Sequence, residues 1–227
     1  MKKLVNYALL SLGVLALAPA AVAAGDAKAG ADKVAVCAAC HGTDGNSPAP
    51  NFPKIAGLGE KYLLKQLRDI QTWDLETDAS KKADTGRAVV EMTGMLAGLS
   101  DQDLQDIAAH FASQAMQLSG AKELQVRTNA GVDVDALELG EKVYRGGNLA
   151  NGVPACTGCH APDGTGNAPA GYPRLSGQYA EYVEKQLLAF RNGRRVNDGE
   201  VMTMRLVAEK LSDAEIKAVA NFIAGLN

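Results

Sequence analysis

The chain is poor in aromatic residues, with four Phe, six Tyr and a single Trp among 227 residues. Aromatic side chains normally supply much of a core's buried area, so this core must be filled in some other way. Cysteine and histidine are also scarce, at four and three. No charge of one sign dominates: 23 basic against 26 acidic residues leave a formal charge of −3, which excludes the electrostatic footprint of a nucleic-acid binder. A charged fraction of 22% beside 47% hydrophobic residues excludes a disordered chain and a multi-span membrane protein. Alternating β-branched runs are missing as well, which points to an all-α fold. Alanine is plentiful, at 38 residues.

The N-terminus reads as a targeting segment. Lys2 and Lys3 precede an apolar stretch from Tyr7 to Ala18, then Pro19 and the small-residue pattern Ala21-Val22-Ala23. An uncleaved anchor is the alternative, but Pro19 and the alanine site favour a secretory signal over residues 1–23. The chain is therefore expected in a bacterial periplasm. That compartment is oxidising, so its cysteine pairs need an explanation.

The remainder is one unit written twice. CAACH at 37–41 recurs as CTGCH at 156–160, and Phe52-Pro53-Lys54-Ile55-Ala56-Gly57 recurs as Tyr172-Pro173-Arg174-Leu175-Ser176-Gly177. Tyr62 and Lys65-Gln66-Leu67 recur as Tyr182 and Lys185-Gln186-Leu187, and Leu99-Ser100-Asp101 as Leu211-Ser212-Asp213. The offset between copies is 119 at the first motif, 120 at the middle helix and 112 at the last. The loop after the middle helix is therefore shorter in the second copy. Two copies make a tandem and not a solenoid. We assign residues 24–117 and 134–227 to domains, and the polar stretch 118–133 to a linker with at most one helical turn. Each copy should carry a helix before its motif (27–36 and 136–146), a middle helix (60–71 and 179–191) and a last helix. Leu104, Ile107, Ala108 and Phe111 mark the face of one last helix, and Ile216, Val219, Ala220 and Ile223 that of the other. Ser212 with Glu215 forms a capping box, and Ser100 with Asp103 a weaker one.

Three chemistries use paired cysteines at this spacing. A thioredoxin-like redox pair needs a βαβ surround, and none is visible. Zinc takes Cys and His at finger-like spacing. Covalent c-type haem attachment has CxxCH as its signature and alone accounts for the fifth residue. The two thiols reach the vinyl groups of the macrocycle, and the adjacent histidine comes under the iron. The two motifs, Cys37, Cys40, His41 and Cys156, Cys159, His160, consume every cysteine and two of the three histidines. We therefore expect two covalently attached c-type haems with His41 and His160 as iron ligands.

The second axial position decides what each iron does. Left open it binds small ligands; filled by methionine it transfers electrons. Repeat register selects the methionines: Met92 and Met204 each lie eight residues before the serine of a last-helix cap. Met95 aligns with Val207 and Met202 with Val90, so neither has a methionine partner, and Met116 falls beyond the aligned region. Met92 and Met204 are the expected sixth ligands. His110 aligns with Phe222 and reads as an ordinary helix residue. Pro53 and Pro173 follow the histidines by 12 and 13 residues, and each offers a carbonyl that could orient the ring.

These residues resemble the di-haem cytochrome c4 family across essentially all of the chain after the signal. The resemblance rests on VCAACHG at 36–42, NFPKIAG at 51–57, YLLKQL at 62–67, EMTGM at 91–95, PACTGCH at 154–160 and NDG at 197–199. It implies two tandem class I cytochrome c domains, each with His/Met ligation, mapping onto His41 with Met92 and His160 with Met204. His110 departs from the aromatic that such a helix usually carries; Phe222 keeps it. The resemblance further implies a periplasmic electron carrier, in places associated with the inner membrane, that delivers electrons toward a terminal haem-copper oxidase. Redox proteins are the expected partners, nucleic acid is not, and a monomer is expected. The competing readings are the electron-accepting cytochrome subunit of a dehydrogenase, such as a sulfide-oxidising flavocytochrome, and a di-haem peroxidase. The first would need a flavin-bearing partner, since this chain has no flavin fingerprint. The second would need an accessible iron, against which a methionine in both domains argues. Arg191, Arg194 and Arg195 form a basic run near the second methionine, suited to haem propionates or a partner but equally to a solvated loop; Lys81 and Lys82 are given no role.

Overall fold

A computed structural model describes residues 25–227; the expected signal, residues 1–23, lies outside the described residues. Ten α-helices follow in order among the described residues: α1 (Ala27–Ala31), α2 (Ala35–His41), α3 (Glu60–Leu75), α4 (Ala79–Thr85), α5 (Asp101–Ala112), α6 (Ala136–Gly146), α7 (Thr157–His160), α8 (Ala180–Arg191), α9 (Thr203–Glu209) and α10 (Asp213–Gly225). The first five build one domain and the last five the other. None is long and apolar enough to cross a membrane.

Both last helices start on a complete capping box. Ser100 Oγ accepts from Asp103 N while the Asp103 carboxylate accepts from Ser100 N, and Ser212 with Glu215 does the same. Their apolar faces then form the cores. Ile107, Ala108 and Phe111 pack with Val34, Leu58 and Leu63 in the first domain. Ile216, Val219, Ala220 and Ile223 pack with Val143, Tyr144, Val183, Leu187 and Phe190 in the second. Each last helix crosses the first helix of its own domain at a glycine. A Cβ at Gly30 would stand 2.0 Å from Asp106 O, and one at Gly140 would stand 2.3 Å from Ala218 O. The backbones touch there, so only glycine fits.

Three elements depart from the sequence expectation. The helix expected over 27–36 is broken into α1 and α2 by a turn at 32–34. The longer loop of the first copy contains α4, capped by the Asp78 carboxylate. The linker holds a two-stranded antiparallel hairpin, β1 (Gln125–Arg127) with β2 (Asp133–Asp135), in place of a helical turn. Its single inward position explains why no strand pattern was legible. Val126 pairs with Val134 and packs on Ala136, Ala214 and Ala218, while the neighbouring residues of β1 face solvent. The linker is strapped along α10. Asn221 exchanges two hydrogen bonds of 2.9 Å with the Lys122 backbone, and Gly120 N donates to Ala224 O.

Where α1 meets α5, the Asp106 side chain, 5% exposed, accepts from Lys33 Nζ at 2.6 Å, Asp26 N at 2.9 Å and Gln102 Nε2 at 2.9 Å. The Lys33 bond, then the other two, hold its carboxyl down at about 2. The second domain has Ala218 at this place. A carboxylate whose folded value lies below its unfolded one stabilises fully above the unfolded pKa, and the contribution is lost as pH falls through the folded one. The Asp106 contribution to the first domain's stability should therefore be lost between about pH 4 and pH 2. Thermal melts across that range should show a flatter dependence for Asp106→Asn; an unchanged slope would refute the assignment. In the second domain, Ser176 is fully buried and its Oγ finds no hydrogen-bond partner among the described residues, whereas the first copy has Ala56 there, also fully buried. Ser176→Ala should stabilise by about 1 kcal/mol, because an unsatisfied buried hydroxyl is removed. A lower melting temperature would contradict this.

Candidate functional site

The first CxxCH motif lies within α2, and the second runs from Cys156, the N-cap of α7, through that helix, so the two cysteines of each fall on adjacent turns and the histidine closes the segment. The chain then makes a glycine-rich turn and returns beneath the motif. At that turn Gly45 (φ +78°) and Gly164 (φ +73°) take left-handed backbone, and their carbonyls accept from Ile55 and Ala56, and from Leu175 and Ser176. The return brings proline carbonyls to the histidines. His41 Nδ1 lies 2.8 Å from Pro53 O and His160 Nδ1 lies 2.9 Å from Pro173 O. Both expected acceptors are in place. Each ring donates through Nδ1 and keeps Nε2 as its lone-pair atom. Burial holds both imidazoles below their ordinary pKa, outweighing the proline carbonyls, so the rings are neutral. Phe52 lies edge-on to His41 at 6.5 Å, and Tyr172 beside His160 at 6.2 Å.

The cysteines distinguish the three chemistries. Burial pushes the Cys37 thiol up, and that of Cys156 up to about 11. A redox-active pair needs the opposite shift. Among the described residues no three His, Cys, Asp or Glu side chains gather to hold a metal ion, which a structural zinc site would require. Two half-buried thiols beside a neutral imidazole whose Nδ1 is already bonded fit haem.

The methionines fall as follows. Met92 ends a 3-10 turn, Val90–Met92, and is half-buried. Met204 lies in the first turn of α9 and packs on the second domain's core. Met202 is 41% exposed and left-handed at φ +50°. Met116 packs on the first domain's core as filler. His110 faces α1, its Nδ1 3.3 Å from Ala27 O and its buried Nε2 without a partner among the described residues.

The basic run does not act as one patch. Arg191 binds Asp213 at 2.6 Å and Leu211 O at 3.2 Å, while Arg194 is exposed. Arg195 instead enters a polar network between the domains that sequence reasoning missed. Its Nη2 donates to Tyr62 Oη at 3.2 Å and to Gln66 Oε1 at 3.0 Å, and its Nη1 to Gln186 Oε1 at 2.8 Å. Arg87 mirrors it, donating to Tyr182 Oη at 3.1 Å, Gln186 Oε1 at 3.2 Å and Gln66 Oε1 at 2.8 Å. Asn197 donates to Gln66 and to Asp69, and Lys65 also binds Asp69. Both guanidiniums thus face neutral oxygens. Burial alone would raise the Tyr62 phenol, but Arg195 and Arg87 outweigh it and hold it below its ordinary value. A signal for the network was present: Tyr62, Gln66 and Asp69 stand at helical spacing on one face of α3, and Tyr182 and Gln186 repeat the first two. Elsewhere on the interface Gln178 exchanges two hydrogen bonds with the Lys54 backbone at 3.0 and 2.7 Å, and Tyr179 Oη donates to Ser47 O at 2.6 Å.

Comparison with known proteins agrees with this geometry. The cytochrome c family profile matches residues 27–115 and 137–227. The chain is 54% identical over 227 residues to cytochrome c4 of Azotobacter vinelandii, covering all of both chains. It is 35% identical over 219 residues to the thiosulfate dehydrogenase electron acceptor of Thiomonas intermedia, covering 96% of this chain and 88% of that one. The crystal structure of reduced recombinant cytochrome c4 from Pseudomonas stutzeri matches with a TM-score of 0.80 at 55% identity, covering 90% of this chain and all of that one. With two cytochrome c domains and two haem-binding motifs, at Cys37/Cys40 and Cys156/Cys159, the chain belongs to the di-haem cytochrome c4 family of electron carriers.

Proposed function

We propose that the protein passes single electrons through two haems in the periplasm, and that His41 with Met92 and His160 with Met204 would hold the two irons. Cys37, Cys40, Cys156 and Cys159 carry the thioether links. The domains run from 24 to 117 and from 134 to 227, after removal of residues 1–23. The observation that carries the ligand reading is the pair of imidazole–proline bonds, which leaves Nε2 of each ring as the coordinating atom. Haem supplies an iron that accepts and releases one electron.

The residues of this chain do the rest. Pro53 and Pro173 fix ring tautomer and orientation. Met92 and Met204 close the remaining position to water and small molecules, which keeps each site an electron carrier. Arg87 and Arg195, whose hydrogen bonds go to neutral oxygens although the Asp69 carboxylate lies nearby, would be the groups to receive the haem carboxylates. Because both arginines lie at the seam between the domains, they would hold the carboxylate ends of the two haems there. Met92→Ala should abolish the methionine–iron charge-transfer band of one haem, and Met204→Ala that of the other. Survival of both bands in either variant would remove that methionine from the ligand set.

The partners are redox proteins. Within that class we infer a terminal haem-copper oxidase of the inner membrane as acceptor, reached by peripheral association. The second reading is acceptance of electrons from a dehydrogenase, favoured by the relative from Thiomonas intermedia, whose name is thiosulfate dehydrogenase electron acceptor. A redox titration with visible spectra, run with membranes containing a haem-copper oxidase, separates the two. Two haems per chain and reoxidation by those membranes are expected. Failure of reoxidation, with rapid reduction by a sulfur-compound dehydrogenase, would favour the second.

A further inference from the structure

Each methionine loop is held by an aspartate from outside it, and the two aspartates do not correspond in the repeat. In the first domain Asp74, in the last turn of α3, accepts from Gly94 N at 2.8 Å, two residues past Met92. In the second domain Asp198 precedes α9. Its Oδ2 accepts from Arg205 N at 2.8 Å and its Oδ1 from Arg205 Nε at 2.7 Å, one residue past Met204. The offset of the middle helices places Asp74 opposite Arg194, and the offset of the methionines places Asp198 opposite Gly86. Two unrelated positions thus each supply a carboxylate to a backbone amide just after the methionine.

The local backbone shows why the bond is needed. Met202 stands at the N-cap of α9 with left-handed backbone and no side-chain cap, so the first turn, which contains Met204, has orphan donors. Asp198 takes one of them from outside the turn. Its carboxylate is only 4% exposed, a position that a charge occupies at a cost unless it is fully bonded. The Arg205 guanidinium completes the tie through Val196 O at 3.2 Å and Gly199 O at 3.4 Å. In the first domain Gln71 Nε2 adds bonds of 2.8 Å to Leu96 O and Leu99 O.

We infer that Asp198, through Arg205, and Asp74 are positioning residues that hold Met204 and Met92 against their irons. The inference rests on the methionine ligation proposed above. A thioether is a neutral, weak ligand, so the fraction of time it stays bound depends on how firmly its turn is held.

The test uses the di-haem protein and imidazole as a competing ligand, with the two haems told apart by the separate effects of Met92→Ala and Met204→Ala. Asp198→Ala should weaken the charge-transfer band of the Met204 haem and raise its imidazole affinity on the order of tenfold, the loss of a charge-assisted bond, with the other haem unchanged. Asp74→Ala should do the reverse. Asp198→Asn keeps an oxygen for the Arg205 amide and should fall between, which preserves the test if the alanine variant does not fold. The inference fails if Met204→Ala raises imidazole affinity and the Asp198 variants do not. It also fails if both haems shift equally as the melting temperature falls, since that is a purely structural effect. If Met204→Ala itself leaves band and affinity unchanged, the ligand assignment is wrong and the positioning role falls with it.

Discussion

One hydrogen bond per domain, from an imidazole Nδ1 to a proline carbonyl, constrains everything around it. For the carbonyl to arrive, the chain after each CxxCH must reverse on a left-handed glycine and pass back under the motif. A Cβ at Gly45 would stand 2.8 Å from Ala56 N and 2.9 Å from the Phe111 ring, so the reversal is packed against the last helix as well. The returning strand then ties into that helix, through Gly57 N to Phe111 O at 2.9 Å and Gly177 N to Ile223 O at 3.1 Å. Ring orientation, loop path and the helix-crossing core thus form one mechanical unit in each copy.

The interface obeys a different logic. Its centre is polar, and its symmetry is one of reciprocity: each domain's arginine reaches the other domain's tyrosine, and both reach both glutamines. Arg87 and Arg195 do not correspond by register, although the tyrosines and glutamines do. The same holds for the aspartates beside the methionines. Middle helices and motifs repeat in register between the copies, while the arginines at the seam and the aspartates beside the methionines do not.

Much of this was legible in the sequence because the signals were periodic or repeated. Ser100 and Ser212 marked the last helices, and the repeat placed Pro53 and Pro173 where their carbonyls meet the two histidines. The hairpin was not legible, because Val126 and Val134 are single inward positions in three-residue strands and give no alternation to count. Nor was the split of the arginine run. Arg191, Arg194 and Arg195 are neighbours in sequence, but the end of α8 and the turn after it aim them at Asp213, at solvent and at the other domain. Adjacency reports composition, and direction is set by where a helix stops. The interdomain network lay between these cases. Its repeated tyrosine and glutamine were visible, but their partners come from loops of unequal length.

The hairpin and its strap bear on modularity. Residues joining the two copies are bonded to α10 and packed on Ala214 and Ala218, so they belong physically to the second domain. The second domain's packed surface therefore begins near Gly120, before the boundary that the repeat suggests, while the first copy keeps its hold on the chain as far as Gln117, whose backbone bonds to Asn46 and Lys54. A fusion or a dissected half that cuts at the repeat boundary would strip the second domain of a piece of its own surface. The joint is built as an extension of one partner, so the stretch between the copies is ordered surface of the second domain and not a free tether.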